Sequence, residues 1–283
     1  MFCIHLALTS IVVTRIASAI TASKPDPQIN MSEARYSSLI VVLQHAIYFL
    51  KFNDAYKFLR ICKNFIDHQT YHFILNDIFR RDMNALFQAK GLPSSFTVNK
   101  LFAGCTSREI VIAGSMPLQV LTGSNWATSD CDVYVTRKHV GLGRRNLRAM
   151  GFKRIHTGTY AYLTYPGAFK VERYWYKVDK THKFMLDLVI CKQSVKDFIC
   201  QFDIVACMTQ LDANAVIIPD DPTGYACPFE KRSWIPPNAI GSIDPSRIVK
   251  YQDRGVMLYC NPRQQLMGSS GHIPLSFVEI KVI

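Results

Sequence analysis

From Val133 to Val171 the chain carries no aspartate or glutamate, although eight lysines and arginines fall in that stretch. Other absences are equally informative. No CxxC pair occurs among the nine cysteines, which stand at 3, 62, 105, 131, 191, 200, 207, 227 and 260. An odd count without paired spacing argues against a disulfide framework and against a Cys-rich zinc site. GxSxG, P-loop and GxGxxG patterns are missing too, which removes the usual sequence grounds for a serine hydrolase, a P-loop NTPase or a dinucleotide-binding fold. The Ser and His of GSSGH at 268–272 have no acid tied to them. His68 and His72 have helical i, i+4 spacing but no HExxH glutamate, so they read as surface or core histidines.

What is present points to a globular, basic protein. Its 283 residues are 49% apolar and 12% aromatic, enough for a sizeable core and an accessory domain. Thirty-three Lys and Arg oppose 21 Asp and Glu, for a formal charge of +12 and a pI near 9.3. Such a surplus favours an anionic partner. Within the acid-free stretch, Tyr134, Phe152, Tyr160, Tyr162, Tyr165 and Phe169 alternate with the cations. That texture suits a polyanion with stackable bases, although most of these aromatics also fit as strand core.

The first 30 residues read as a leader or linker. An apolar stretch followed by Ala17-Ser18-Ala19 has the form of a signal peptide, but Arg15 falls inside it and no cation precedes it. The stretch is too short for a membrane-spanning helix, so no stable membrane insertion is expected. Met31 is a second candidate start. Free cysteines in apolar runs favour an intracellular location, cytoplasm or nucleus, with secretion as the alternative.

Residues 31–95 form a helical module. Leu39, Leu43, Ile47 and Leu50 recur at helical spacing, Asn53-Asp54 supplies an N-cap for a second helix, and a third runs over 68–88. The LRICKNF segment resembles an F-box, though without its opening Leu-Pro, and that resemblance implies a protein partner. Beyond Gly91 the texture is mixed. Strands are expected at 109–113, 130–135, 152–155, 160–164, 169–175 and 184–190. Helices are expected at 116–122, 142–150, 194–211 and 246–254. Residues 96–220 thus form an α/β domain, and 221–283 an extension packing on it.

One juxtaposition stands out in VIAGSMPLQVLTGSNWATSDCDVYV. Asp130 and Asp132 fall on one face of an expected strand, about 7 Å apart, while Cys131, Val133 and Val135 take the other, core-facing side. At an effective dielectric of 20 the carboxylates repel by on the order of 2 kcal/mol, a cost that a hard divalent cation turns into attraction. Upstream, Gly114 lets backbone approach a ligand and Ser115 is placed to N-cap a helix, an arrangement suited to phosphate oxygens. In KFMLDLVI, Asp187 is a lone acid in an apolar run. It suits either a third ligand or an ion pair with a nearby Arg or Lys.

Gly-Ser, a spacer, then Asp-x-Asp on a strand and a lone strand aspartate resemble the signature of the nucleotidyltransferase superfamily, over roughly residues 109–190. The SVKDFICQFDIVACMTQLD segment is similar to the helical continuation in superfamily members of fungi and large DNA viruses. The 14-residue spacer is slightly longer than usual, and no obvious nucleic-acid grip domain follows. The resemblance implies an α+β fold with a mixed sheet flanked by helices. It also implies transfer of a nucleotidyl group from an NTP to a hydroxyl acceptor, such as RNA or another anionic molecule. Asp130, Asp132 and Asp187 would be the catalytic and metal residues for magnesium or manganese, and Gly114, Ser115 and Lys170 would contact the nucleotide. The alternative is a catalytically inactive relative acting as a binding or adaptor module.

Overall fold

The computed structural model describes residues 46–61, 68–106, 108–127, 130–155, 167–220, 227–236, 239–240, 242–260 and 276–281. The leader and most of the first expected helix lie outside them, as do the strand expected at 160–164 and the GSSGH segment. The chain divides into two units, Met1–Ile78 and Phe79–Ile283. Among the described residues no helix is long and apolar enough to cross a membrane.

In the first unit, helix α1 (Phe52–Ile61) buries Phe52, Ala55, Phe58 and Leu59 along one face. It begins at Phe52, so Asn53 and Asp54 occupy its first turn and do not cap it. There Asp54 complements the positive end of the helix. Helix α2 (His68–Ala89) is a single 22-residue helix, and the boundary between the units falls inside it. His72 is buried, beside the Tyr71 ring.

The second unit is built on an eight-stranded mixed sheet. Its strands are β1 (Ile110–Ala113), β2 (Cys131–Thr136), β3 (Lys153–Arg154), β4 (Ala168–Lys177), β5 (Lys183–Cys191), β6 (Gln210–Leu211), β7 (Ala215–Asp220) and β10 (Ser276–Lys281), in the order β10-β7-β6-β1-β2-β5-β4-β3. A parallel pair, β8 (Arg232–Ile235) and β9 (Met257–Cys260), forms a second small sheet. Among the described residues the α-helices of this unit are the last part of α2, α3 (Val98–Leu101), α4 (Ser115–Leu121), α5 (Val140–Ala149), α6 (Val195–Ile199) and α7 (Pro245–Asp253). The fold is therefore α+β with a mixed sheet and flanking helices.

Both faces of the sheet are covered, which corrects the expectation that only the Cys131–Val133–Val135 side meets the core. On one face, Val111, Tyr134, Val189 and Cys191 join Val195, Phe198 and Ile199 of α6, Met208 and Trp234. On the other, Gly143 of α5 approaches Leu188 and Ile110 closely enough that a Cβ there would lie 3.5 Å from Leu188 Cδ1. Phe87, Phe96, Phe152 and Phe184 continue that layer through ring contacts that are edge-on, except for the tilted Phe96–Phe152 pair. Each such fully buried side chain contributes roughly 1.5–3 kcal/mol. Asn146 ties α5 to α3 by donating to the carbonyls of Leu101 at 2.8 Å and Ala103 at 2.9 Å.

One carboxylate lies within this second layer. Glu172 of β4 has no exposed side-chain surface and is gripped by Arg144, with Arg154 at 3.6 Å and Lys170 at 3.8 Å. Burial alone would raise its pKa, but the hydrogen bond and charge of Arg144 outweigh it and the carboxyl sits below its ordinary value. Much of the acid-free basic stretch is thus consumed by one buried anion.

The helix expected over 194–211 is not continuous. It is α6 alone, then a 3-10 turn at Val205–Met208, then β6. Tertiary bonds redirect the chain: the amide of Ala206 donates to Ser233 Oγ at 2.9 Å, and Gly114 donates to the Cys207 carbonyl at 3.0 Å.

Gly114 is the tightest of these joints. Its φ of 87° and ψ of −140° lie where L-residues are strained, and a Cβ would stand 3.2 Å from Asp132 Oδ2. Gly114→Ala is expected to cost about 1–3 kcal/mol from backbone strain, read as a lowered denaturant midpoint at unchanged slope. Gly141→Ala, at a site with open space around it, serves as the control.

Candidate functional site

The site is built by the register of the central strands. β2 and β5 run parallel with Asp132 opposite Asp187, and β5 and β4 run antiparallel with Asp187 opposite Arg173. On the other side, Ala113 of β1 is opposite Asp132. Cross-strand partners share a face, so Ala113, Asp132, Asp187 and Arg173 form one row across four strands. Neighbouring strands lie about 4.8 Å apart. Two carboxylates at that spacing repel by roughly 3 kcal/mol at an effective dielectric of 20.

Arg173 answers that repulsion. Its Nε reaches Asp187 Oδ1 and its Nη2 reaches Asp187 Oδ2, both at 2.8 Å. This parallel fork is the strong geometry for an Arg–carboxylate pair. The Asp187 side chain is 7% exposed and that of Arg173 is 50% exposed, so the pair has its acid inside and its base at the rim.

Gly114 and Ser115 sit against the acids in a way that differs from the expected cap. Helix α4 starts at Ser115, with Gly114 in the N-cap position and no side-chain cap bond. The Ser115 hydroxyl instead donates to the Asp130 carbonyl at 3.2 Å, while Gly114 leaves room for the Asp132 carboxylate. The Gly-Ser turn therefore fixes the Asp130–Asp132 segment from two points. Pro117, in the first turn of α4, has no N–H, which limits the free amide donors of that turn to Ser115 and Met116.

Asp130 precedes β2 and is 72% exposed at its side chain, with Lys250 of α7 3.9 Å from its Oδ2. Lys90 lies in the same neighbourhood. Burial lowers its pKa first, the charge of Arg254 lowers it further, and Asp130 pulls the other way. The Arg254 guanidinium lies 4.7 Å from the Trp126 ring centroid. Asp130 thus has Lys250 of α7 beside it and feels the charge of Lys90, just past the end of α2.

A buried thiol reports the shared field of the three acids. Cys131 is pushed well above its ordinary pKa by burial first, then by Asp132, Asp187 and Asp130 in that order. Cys191 is likewise pushed up to about 12 and Cys207 to about 11, mainly by burial. Such thiols carry too little thiolate near neutral pH to act as nucleophiles.

The structure brings Asp132, Asp187 and Gly114 together, holds Ser115 and Asp130 beside them, and leaves Lys170 out. Lys170 alternates with Arg173 on β4 and stands with Glu172 on the opposite face of the sheet. Among the described residues no three His, Cys, Asp or Glu side chains are close enough together to hold a metal ion. Arg173, Lys250 and Lys90 are the charged neighbours that the sequence reading did not assign. A charged residue alternating with apolar ones in FKVERYWYK was the available signal for Arg173. Compared with known proteins, the chain matches no family model and no curated protein.

The Arg173–Asp187 pair lends itself to a direct test. Arg173→Ala leaves an enclosed carboxylate beside Asp132 without its countercharge. The loss is expected at about 1–2 kcal/mol, below the 3–5 of a fully buried pair because Arg173 is half in solvent. Arg173→Ala/Asp187→Asn recovers most of it in urea unfolding. Additive losses in the double variant would show that the two residues do not act as a pair.

Proposed function

We propose that residues 79–283 form a metal-dependent nucleotidyltransferase that moves a nucleotidyl group from an NTP to a hydroxyl acceptor. The observation that supports this is the register of Asp132 against Asp187, with Gly114 packed on the Asp132 carboxylate. Carboxylates on neighbouring strands beside a glycine turn suit a hard cation and the phosphates it carries.

For these acids to hold magnesium or manganese, two side chains would have to turn. Arg173 must leave Asp187 and Asp130 must turn toward Asp132; both are half or more exposed at their side chains. Asp130, Asp132 and Asp187 would then hold the metal, which when bound supplies charge neutralisation for the attacking and leaving oxygens. The chain's own groups do the positioning. Gly114 keeps side-chain bulk away from the phosphates, and Ser115 holds the Asp130 backbone in place. Lys250 and Lys90 draw the polyphosphate toward Asp130. Asp187, released from Arg173, accepts the proton of the acceptor hydroxyl at a carboxylate oxygen. The α-phosphorus then changes partner from the pyrophosphate oxygen to the acceptor oxygen, and pyrophosphate departs.

A second reading has one observation in its favour. The two-point grip of Arg173 satisfies Asp187 without any metal. On that reading the domain is a catalytically inactive nucleotidyltransferase-like module, and the N-terminal helical unit engages a protein partner.

Pyrophosphate release from NTPs with magnesium or manganese separates the two readings. The enzyme reading expects turnover in the wild type and a loss of at least about 10²-fold, several kcal/mol of transition-state stabilisation, in Asp132→Ala and Asp187→Ala. Equal rates in wild type and variants overturn it.

A further inference from the structure

The face that carries Asp132 and Asp187 continues outward past them. Successive same-face residues on β4 are Val171, Arg173, Trp175 and Lys177, and on β5 Val189, Asp187, Met185 and Lys183. Lys153 of β3 stands opposite Trp175. The apolar layer over this face reaches Val171 and Val189. Beyond them Trp175 and Met185 are half-buried, while Arg173, Lys177, Lys183 and Lys153 are exposed.

Trp175 differs from the other two tryptophans of the chain. Trp126 and Trp234 are 9% and 4% exposed, whereas Trp175 lies half open with Lys183 Nζ 4.7 Å and Lys153 Nζ 5.6 Å from its ring centroid. The lysine stems cover part of the ring and keep their charges in water. Among these residues of β3, β4 and β5 the acid is Asp187, already matched by Arg173, and Asp179 in the turn between β4 and β5 is taken up by the amides of Thr181 and His182. Lys153, Lys177 and Lys183 therefore surround an aromatic face as net positive charge. A stacking surface among exposed cations suits bases joined by phosphates.

We propose that this strip binds a single-stranded nucleic acid, with a base stacked on Trp175, and that this strand is the acceptor for the reaction at Asp132 and Asp187. The second clause rests on the transferase reading; the binding itself does not. Trp175 is two residues from Arg173 along β4, about 7 Å, so a strand held there presents its end to the acid row. On stacking, Lys153 and Lys183 move from the ring to the flanking phosphates.

The test is fluorescence anisotropy of a labelled short oligouridylate, and of its DNA counterpart, on the full chain. Trp175→Ala is expected to weaken binding by about 5- to 150-fold, the value of one base–aromatic stack, and Trp175→Phe to keep most of the affinity. Lys153→Ala and Lys183→Ala each lower the salt slope by about 0.7, and they carry the test if Trp175→Ala does not fold. Quenching of tryptophan emission by the unlabelled oligonucleotide, lost in Trp175→Phe, places the base on that ring. Unchanged affinity in Trp175→Ala overturns the proposal. So does equal binding of inorganic polyphosphate or an acidic peptide with the same dependence on Trp175. Oligonucleotide binding that survives in a protein with no NTP turnover overturns the transferase reading and leaves this surface standing.

Discussion

Two aspartates meet side by side in the middle of a sheet that is apolar on both faces, and the surroundings of that pair are organised by their mutual repulsion. Asp132 and Asp187 are register partners on parallel strands, so no rotation of either strand can part them. A packed sheet keeps such a pair only if something positive stands nearby. In this structure Arg173 fills that role from the next strand, with its charged head at the rim. Carboxylates at this spacing also suit a divalent cation, so under the function proposed above Arg173 would compete with the metal.

The rest of the site follows from keeping the acid segment in place. Gly114 adopts a backbone conformation reserved for glycine so that the Asp132 carboxylate can pass beside it, and its amide is tied to Cys207. Ser115 spends its hydroxyl on the Asp130 carbonyl and not on its own helix. The turn that looks in sequence like a phosphate device is, in the folded chain, first a support for two carboxylates. The cations divide between the two faces of the sheet. Arg144, Arg154 and Lys170 serve Glu172 on one face, Arg173 grips Asp187 on the other, and Lys250 and Lys90 stand near Asp130 at the start of β2.

Much of this was legible from residues alone. The strands at 110–113, 131–136 and 183–191 and the helices at 115–121 and 140–149 lie within two residues of their expected limits, because each is a patterned run flanked by charged residues or by glycine close to its end. Where long-range bonds compete with local preference, the pattern misleads. Residues 200–211 have helical spacing, yet Ser233 and Gly114 capture the backbone of Ala206 and Cys207 and turn the chain into a strand. Strands β6, β8 and β9 are short and β7 contains Pro219, so little period could build up in them. Lys170 was misplaced because alternation along β4 can be counted only once the register against β5 is known. That Arg173 grips Asp187 is also a matter of register, since no sequence spacing pairs a residue on one strand with its neighbour fourteen positions away.

The function proposed above requires Asp132 and Asp187 together to form a cation site for which Arg173 competes. Manganese binding followed by electron paramagnetic resonance, in wild type, Arg173→Gln and Asp132→Asn, tests it most directly. The account predicts measurable binding in the wild type, tighter binding in Arg173→Gln and loss of binding in Asp132→Asn. Equal affinity in all three proteins, or no binding in any, would contradict it.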